Sequence, residues 1–395
     1  MKGSSFLLSS LAALAAVGAV AACDPPREAA APARNLPPVV PVELPTFGVA
    51  SPSVHDPGDA GAATPHRPVG WFPPPKPTAI PLARTGNPEL DAKLAEGDAA
   101  FAKEEFPAAL KLYGEAQRLS PKHPAPLVGV ARSIVARETP TLNFAAAKGN
   151  RLVQNALADL RRALKLDPEF GPAEAELGRA LLLLGDAPLA IDPLRRAAGK
   201  LPNEPEVHSA LGVALLASGR GEEAVGSLAR AVELDPGSAP RRGNLGTVLF
   251  MRGRIDEAVK EYEAQVALDA ADPRAHSDLG TALLSRNDFV GAMRELERAV
   301  ELDPKRATFR SNIGYALQLQ GKHTEAIASY REAIRLYDKL ASAWINLATV
   351  LAKDPATRAE ARTALEKARA LDPQDPRVVA NFKELEALEK ESRKP

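Results

Sequence analysis

Asn244, Asp278, Asn312 and Asn346 stand 34 residues apart, and Asn381 follows 35 residues after the last of them. A carboxamide presents a donor and an acceptor in one plane, so it can pair with any peptide group whatever the side chain. A repeated row of amides is therefore a means of holding the main chain of an extended polypeptide. Their neighbours are small or hydroxylic: Ser209, Gly243, Ser277 and Ser311 in one register, Thr247, Thr281, Tyr315 and Thr349 in another. Asp278 interrupts the amides with a carboxylate, which suits a basic side chain. The plainer reading is that such residues are solvated or satisfy nearby backbone groups. Five in phase favour a binding row.

Other chemistry is not signalled. The chain has no CxxC, HExxH, GxSxG or Walker loop, and no GxGxxG opening a βαβ unit. Of the six histidines, His208 and His276 fall where helices pack, His55 and His66 lie in a linker, and His123 and His323 lie at turns. None forms a pair with metal-site spacing on one helix. Carboxylate pairs such as Glu222–Glu223 begin helices, where acids complement the helix dipole. The 50 basic and 50 acidic residues cancel, giving no electrostatic reason to expect nucleic acid. The expectation is a non-enzymatic protein with no metal, cofactor or small-molecule substrate.

The first residues read as an export signal. Lys2 precedes the apolar, small-residue run Phe6–Ala22, which is too short for a comfortable membrane span. It ends in "VAAC", and Cys23 is the only cysteine of the chain, so no intramolecular disulfide can form. This junction resembles a bacterial lipoprotein signal, which implies cleavage before Cys23 and a lipid on it. Ordinary secretion with an incidental cysteine is the alternative. Asp24 resembles a retention signal for the inner membrane of enteric bacteria, a rule that does not carry safely to other phyla. Residues 24–88 then hold 17 of the 36 prolines, in runs such as "WFPPPKPTAIP". Proline removes backbone donors and favours extended conformations, so residues 23–88 read as a disordered tether.

The rest of the chain must position the amide row, and it does so by repetition. Pro168, Pro202, Pro236 and Pro304 share a 34-residue grid. Gly178, Gly212, Gly246, Gly280 and Gly314 recur in step, with Ala348 next, and Ala190, Ala224, Ala258, Ala292 and Ala326 mark a second helix in each unit. Within a unit, apolar or small residues at positions 4, 7, 8 and 11 form one face of a first helix, A. The Gly at position 8 lets the second helix, B, approach closely. The Asp-Pro that follows stops helix B.

This pattern resembles the tetratricopeptide repeat, a 34-residue helix–turn–helix with small residues at positions 8, 20 and 27 and Pro at 32. The resemblance implies an all-α, right-handed superhelical solenoid. Eight units are expected over residues 90–375 (90–123, 124–170, 171–204, 205–238, 239–272, 273–306, 307–340 and 341–375), with a capping helix in residues 376–395. Unit two carries about 13 extra residues around "TPTLNFAAAKGN", which should protrude. Pro193 should start its helix late or kink it.

The amides occupy position 6 of helix A. At about 100° per residue, positions 2, 5, 6, 9 and 13 lie opposite the core positions. In tetratricopeptide arrays the A helices line the concave surface, so this face would be the inner wall. The row resembles the asparagine ladder of O-linked N-acetylglucosamine transferases, where amides hold an extended peptide. On this reading the inner wall has few Lys or Arg, which argues against a clamp for carboxylates. The expectation is thus an exported lipoprotein, anchored by Cys23 and facing the periplasm, which binds protein or peptide in its groove and assists a cell-envelope complex such as a pilus secretin, motility or outer-membrane machine. An accessory module working in trans with an envelope glycosyltransferase or peptidoglycan hydrolase is the alternative.

Overall fold

The computed structural model describes residues 80–138 and 144–392. The expected signal sequence, Cys23 and the "WFPPPKP" run lie outside the described residues. The described chain is all helical and consecutive. Unit one is α1 (Pro88–Ala102) and α2 (Phe106–Leu119); unit two is α3 (Pro124–Glu138), an inserted α4 (Phe144–Gly149) and α5 (Arg151–Leu166). Units three to five are α6 (Gly171–Leu183) with α7 (Ala187–Lys200), α8 (Pro205–Ala217) with α9 (Gly221–Leu234), and α10 (Ala239–Met251) with α11 (Ile255–Leu268). Units six to eight are α12 (Pro273–Ser285) with α13 (Phe289–Leu302), α14 (Ala307–Leu319) with α15 (His323–Leu336), and α16 (Ala341–Leu351) with α17 (Arg358–Leu371). A last helix, α18 (Pro376–Ser392), closes the series.

The position-8 glycines do what their spacing predicts. A Cβ built on Gly178, Gly212 or Gly280 would stand 2.4, 2.5 or 2.7 Å from Cγ of Leu194, Leu228 or Leu296. On Gly246 and Gly314 it would meet the rings of Tyr262 and Tyr330 at 2.8 and 2.7 Å. Each unit therefore locks one large side chain of helix B against a bare stretch of helix A. Interiors packed at crystal-like density leave no slack for an added carbon there.

Two turn devices join the helices. Between A and B the chain needs a left-handed residue; Gly185, Gly219, Gly253 and Gly321 supply it, and Asn287 takes it at φ 64° where Gly is missing. Between B and the next A, the Asp before the proline position turns its carboxylate back on the backbone. Asp167 accepts from the Glu169 N–H at 2.9 Å, and Asp372 from Gln374 at 3.2 Å. Position 4 of the following helix then ties the same turn. His208 Nε2, Arg242 Nε, His276 Nε2 and Trp344 Nε1 each reach the carbonyl six residues earlier, at 3.0, 3.2, 3.1 and 2.8 Å. Three side-chain types serve one role because each places a ring or guanidinium nitrogen at the same reach.

Each A helix also meets the next A helix, from α1 with α3 to α16 with α18, whereas successive B helices make no comparable contact. The A helices therefore lie on the inner side of the curve. One apolar core runs from Leu82 to Leu385.

Three expectations need correction. Helix α7 does not start late: it begins at Ala187 and carries the buried Pro193 inside it, the position where the second alternative, a kink, is expected. The insertion in unit two does not simply protrude: Ala147 is buried and the Lys148 ammonium lies 2.5 Å from the Asp186 carboxylate in the A–B turn of unit three. Finally, residues 80–82, placed by composition within the tether, are packed on the array, with Ile80 and Leu82 both buried.

Candidate peptide-binding groove

The inner wall divides into two chemistries. In the C-terminal half it is the row of neutral side chains. Asn244 is almost enclosed, at 6% exposure, while Asn312 and Asn346 are half-buried and Asp278 is exposed. Asn312 Nδ2 donates to Ser277 Oγ of the preceding unit at 3.0 Å, and Asn381 Nδ2 donates to Thr349 Oγ1 at 2.8 Å. These bonds tie each A helix to its predecessor. Asn244 Nδ2, Asn312 Oδ1 and Asn346 Nδ2 are buried and find no partner among the described residues.

The hydroxylic register is more closed than the helical wheel suggests. Ser209, Ser277 and Ser311 are buried, and the Cβ absent from Gly243 would stand 2.7 Å from Gln265 Oε1 on helix B. Position 5 therefore faces the A–B seam and not the open wall. Thr247 accepts from the Tyr262 hydroxyl at 2.9 Å and donates to the Gly243 carbonyl at 3.0 Å. Thr281 and Thr349 also donate to carbonyls one turn back, both at 2.9 Å. Tyr315 is buried, and burial pushes its phenol up to about 12.

Asp278 meets water at its own surface, yet protein surrounds it at longer range on the concave side. That enclosure, with Asp272 nearby, pushes its carboxyl up to about 7, and Arg274 acts in the opposite sense.

The N-terminal half is ionic, which corrects the expectation of a wall poor in basic residues. Asp98, Arg132 and Arg179 share position 9 of units one to three, but the unit-two insertion separates Arg132 from Arg179 by 47 residues, and Arg241 stands at position 3 of its unit. Asp98 of α1 pairs with Arg132 of α3, whose Nη1 lies 4.0 Å from Glu176 of α6. Glu176 pairs with Arg179 at 3.2 Å, Arg179 with Glu206 of α8 at 3.5 Å, and Glu206 with Arg241 of α10 at 3.2 Å. Asp235 ends the chain, 2.9 Å from Arg241. Burial opposes the charge on Arg179, but Glu176 and Glu206 more than offset it, so its pKa rises. Seven charges thus alternate in sign across five units. Tyr113 completes the start of this chain: its ring fills the space left by Gly97 and Gly129, and its hydroxyl donates to Asp98 Oδ1 at 2.8 Å.

Models of the tetratricopeptide repeat match residues 145–205, 215–279, 277–341 and 311–376, together more than half of the chain. The chain belongs to the tetratricopeptide repeat family. Such repeats point to a protein-binding scaffold, and among the described residues no three metal-ligating side chains gather as a site. No helix of the described residues is long and apolar enough to cross a membrane. A search of curated proteins finds no match.

Among solved structures, this repeat array is similar to one in the APC/C hetero-tetramer Cut9–Hcn1, at 17% identity and a TM-score of 0.52. The match covers 77% of this chain and 57% of that one, so the chain spans little more than half of its neighbour. A Pseudomonas aeruginosa pilF structure matches at 21% identity and a TM-score of 0.45, over 56% of this chain and 98% of that one. YrrB, described as a tetratricopeptide protein with an unusual peptide-binding site, matches at 20% identity and 0.42, over 50% and 95%. At 17% identity the likeness to the Cut9–Hcn1 array speaks to the fold alone.

Proposed function

We propose that this tetratricopeptide protein is a scaffold that holds an extended polypeptide along the C-terminal half of its inner wall. The observation that carries the reading is the set of amide atoms at Asn244, Asn312 and Asn346 with no partner among the described residues. A buried polar atom left unpaired costs about 1–3 kcal/mol, so side-chain rotation onto a peptide group would be rewarded. Asp278, exposed in the middle of the row, would select a basic side chain on that polypeptide.

The export signal and the lone Cys23 support a lipid-anchored protein facing the periplasm, with the Pro-rich segment as its tether. The polypeptide held would then belong to a cell-envelope complex, such as a pilus secretin, motility or outer-membrane machine. The test is site-specific crosslinking in cells with a photoreactive residue at Asp278, compared with one at Val290, which is 83% exposed at the start of helix α13. An envelope-protein adduct from residue 278 and not from residue 290 supports the reading. The same adduct from both, or none from residue 278, overturns it.

A further inference from the structure

Before the first helix, Ile80, Pro81 and Leu82 alternate inward, outward and inward, the period of an extended strand: Ile80 is 2% and Leu82 1% exposed, and Pro81 faces solvent. The wall grips this stretch by its main chain. Arg132 Nη1 donates to the Ile80 carbonyl at 2.8 Å, and the Leu82 N–H donates to Asp98 Oδ2 at 2.8 Å. Those two side chains are themselves paired, and Arg132 is only 2% exposed. Between the two gripped groups stands a proline, which has no N–H to leave unpaired. Ile80 is seated among Ala175 of α6, Ala197 of α7 and Val207 of α8, where the two alanines make room for it. Arg84 reaches Glu204 at 3.6 Å at the rim. Beyond that, Thr85 and Gly86 donate to the Asp91 carboxylate, and Gly86 turns at φ 79° into α1.

The wall thus contacts this stretch from units one to four, through groups that read backbone and through an aliphatic seat. Nothing in the contacts is particular to a covalently joined segment. We infer that units one to four form a second peptide site, for an extended aliphatic–Pro–aliphatic segment, and that Ile80–Leu82 is its resident intramolecular ligand. The inference shares with the proposed function only the premise that this wall holds extended chain. A partner bearing the same chemistry must displace the resident, which a short connection keeps at an effective concentration on the order of millimolar. The site is therefore closed to weak binders and open to a partner that brings its own additional contacts.

The test uses the full chain and a fluorescent peptide corresponding to Thr78–Gly86. The parent should bind it weakly. The double variant Ile80→Asp, Leu82→Asp should eject the resident and bind at least tenfold more tightly. Adding Asp98→Ala should reverse that gain, and a peptide with Asp in place of its Ile should not bind. The segment must also open independently of the array, so the Leu82 amide in the parent should exchange its hydrogen faster than the amides of α1 that exchange by global unfolding. Failure of the double variant to bind the peptide while retaining parental helicity overturns the inference. Loss of its cooperative fold, or Leu82 exchange only by global unfolding, also overturns it by making the segment a fixed cap. Neither result touches the crosslink at residue 278, and a failed crosslink leaves this site standing.

Discussion

Asn312 Nδ2 lies 3.0 Å from Ser277 Oγ, joining the same inner face of two A helices across one repeat. The bond gives the amide row a structural duty beside any binding one: it sets how closely successive repeats approach on the concave side. Only one of the four amide hydrogen-bonding sites on Asn312 is used in this way, and its Oδ1 has no partner among the described residues. Because that oxygen is buried, a peptide reaches it only when the amide turns, which exchanges the Ser277 tie for bonds to the peptide.

Replacing Asn244, Asn312 and Asn346 together with Ala should weaken binding of the held polypeptide by roughly two orders of magnitude, at about 1 kcal/mol per lost net hydrogen bond. Stability should fall by less, because Ala is the better helix former and offsets part of the lost Ser277 tie. Titration of the crosslinked partner's segment reads the first effect and urea unfolding the second. Asn203→Ala, in an exposed turn between units three and four, serves as the control and should leave affinity unchanged.

Gly246→Leu should destabilise the array by about 1–3 kcal/mol or more, since even a Cβ would stand 2.8 Å from the Tyr262 ring. Tyr262→Ala in that background should recover part of the loss by making room, at the price of its bond to Thr247. Recovery measured in a double-mutant cycle by urea unfolding tests whether the clash is the cause.

Asp278 gives a pH signature with a definite sign. Its folded carboxyl sits at about 7 against an ordinary 3.8, so the folded chain binds the proton more tightly than the unfolded chain does. Its contribution to stability is full below 3.8 and is lost as pH rises through about 7. The stability profile of Asp278→Asn should therefore be flatter than the parent's over that window. In the same window, a peptide with Lys facing residue 278 should bind the parent more tightly as pH rises.

Glu206 holds Arg179 and Arg241 at once, and all three are buried. Glu206→Ala should destabilise the array by less than the about 3–5 kcal/mol of a fully orphaned buried charge, because Glu176 still faces Arg179 and Asp235 still faces Arg241. The loss should concentrate between units three and five, because each repeat of a solenoid contacts chiefly its neighbours. Hydrogen exchange resolved by helix would show α8 and α10 opening more readily than α14 and α16.

Cys23 should carry a lipid, given its place at the end of the apolar run. A clickable fatty acid fed to cells should label the parent chain and not Cys23→Ser. Absence of label on the parent would remove the anchor.

What the sequence by itself determined was whatever repeats in phase. Glycine at position 8 could be read as a contact because its period matched that of the helices, and Leu194 or Tyr262 indeed fills the space it leaves. The register of Asn244, Asp278, Asn312 and Asn346 was legible for the same reason, as was the stack of helix pairs. Tertiary structure alone decided matters in which the partners come from unlike positions. The alternating charges from Asp98 to Asp235 join position 9 of the first three units to carboxylates and an arginine at unlike positions, so no single helical wheel brings them together. The burial of Ser277 and Ser311 followed from helix B covering position 5, which a single-helix projection omits. Ile80 and Leu82 were hidden in a proline-rich stretch, where composition argues against order. They are ordered because Arg132 and Asp98, 52 and 16 residues further along the chain, supply the hydrogen bonds that an extended segment cannot make with itself.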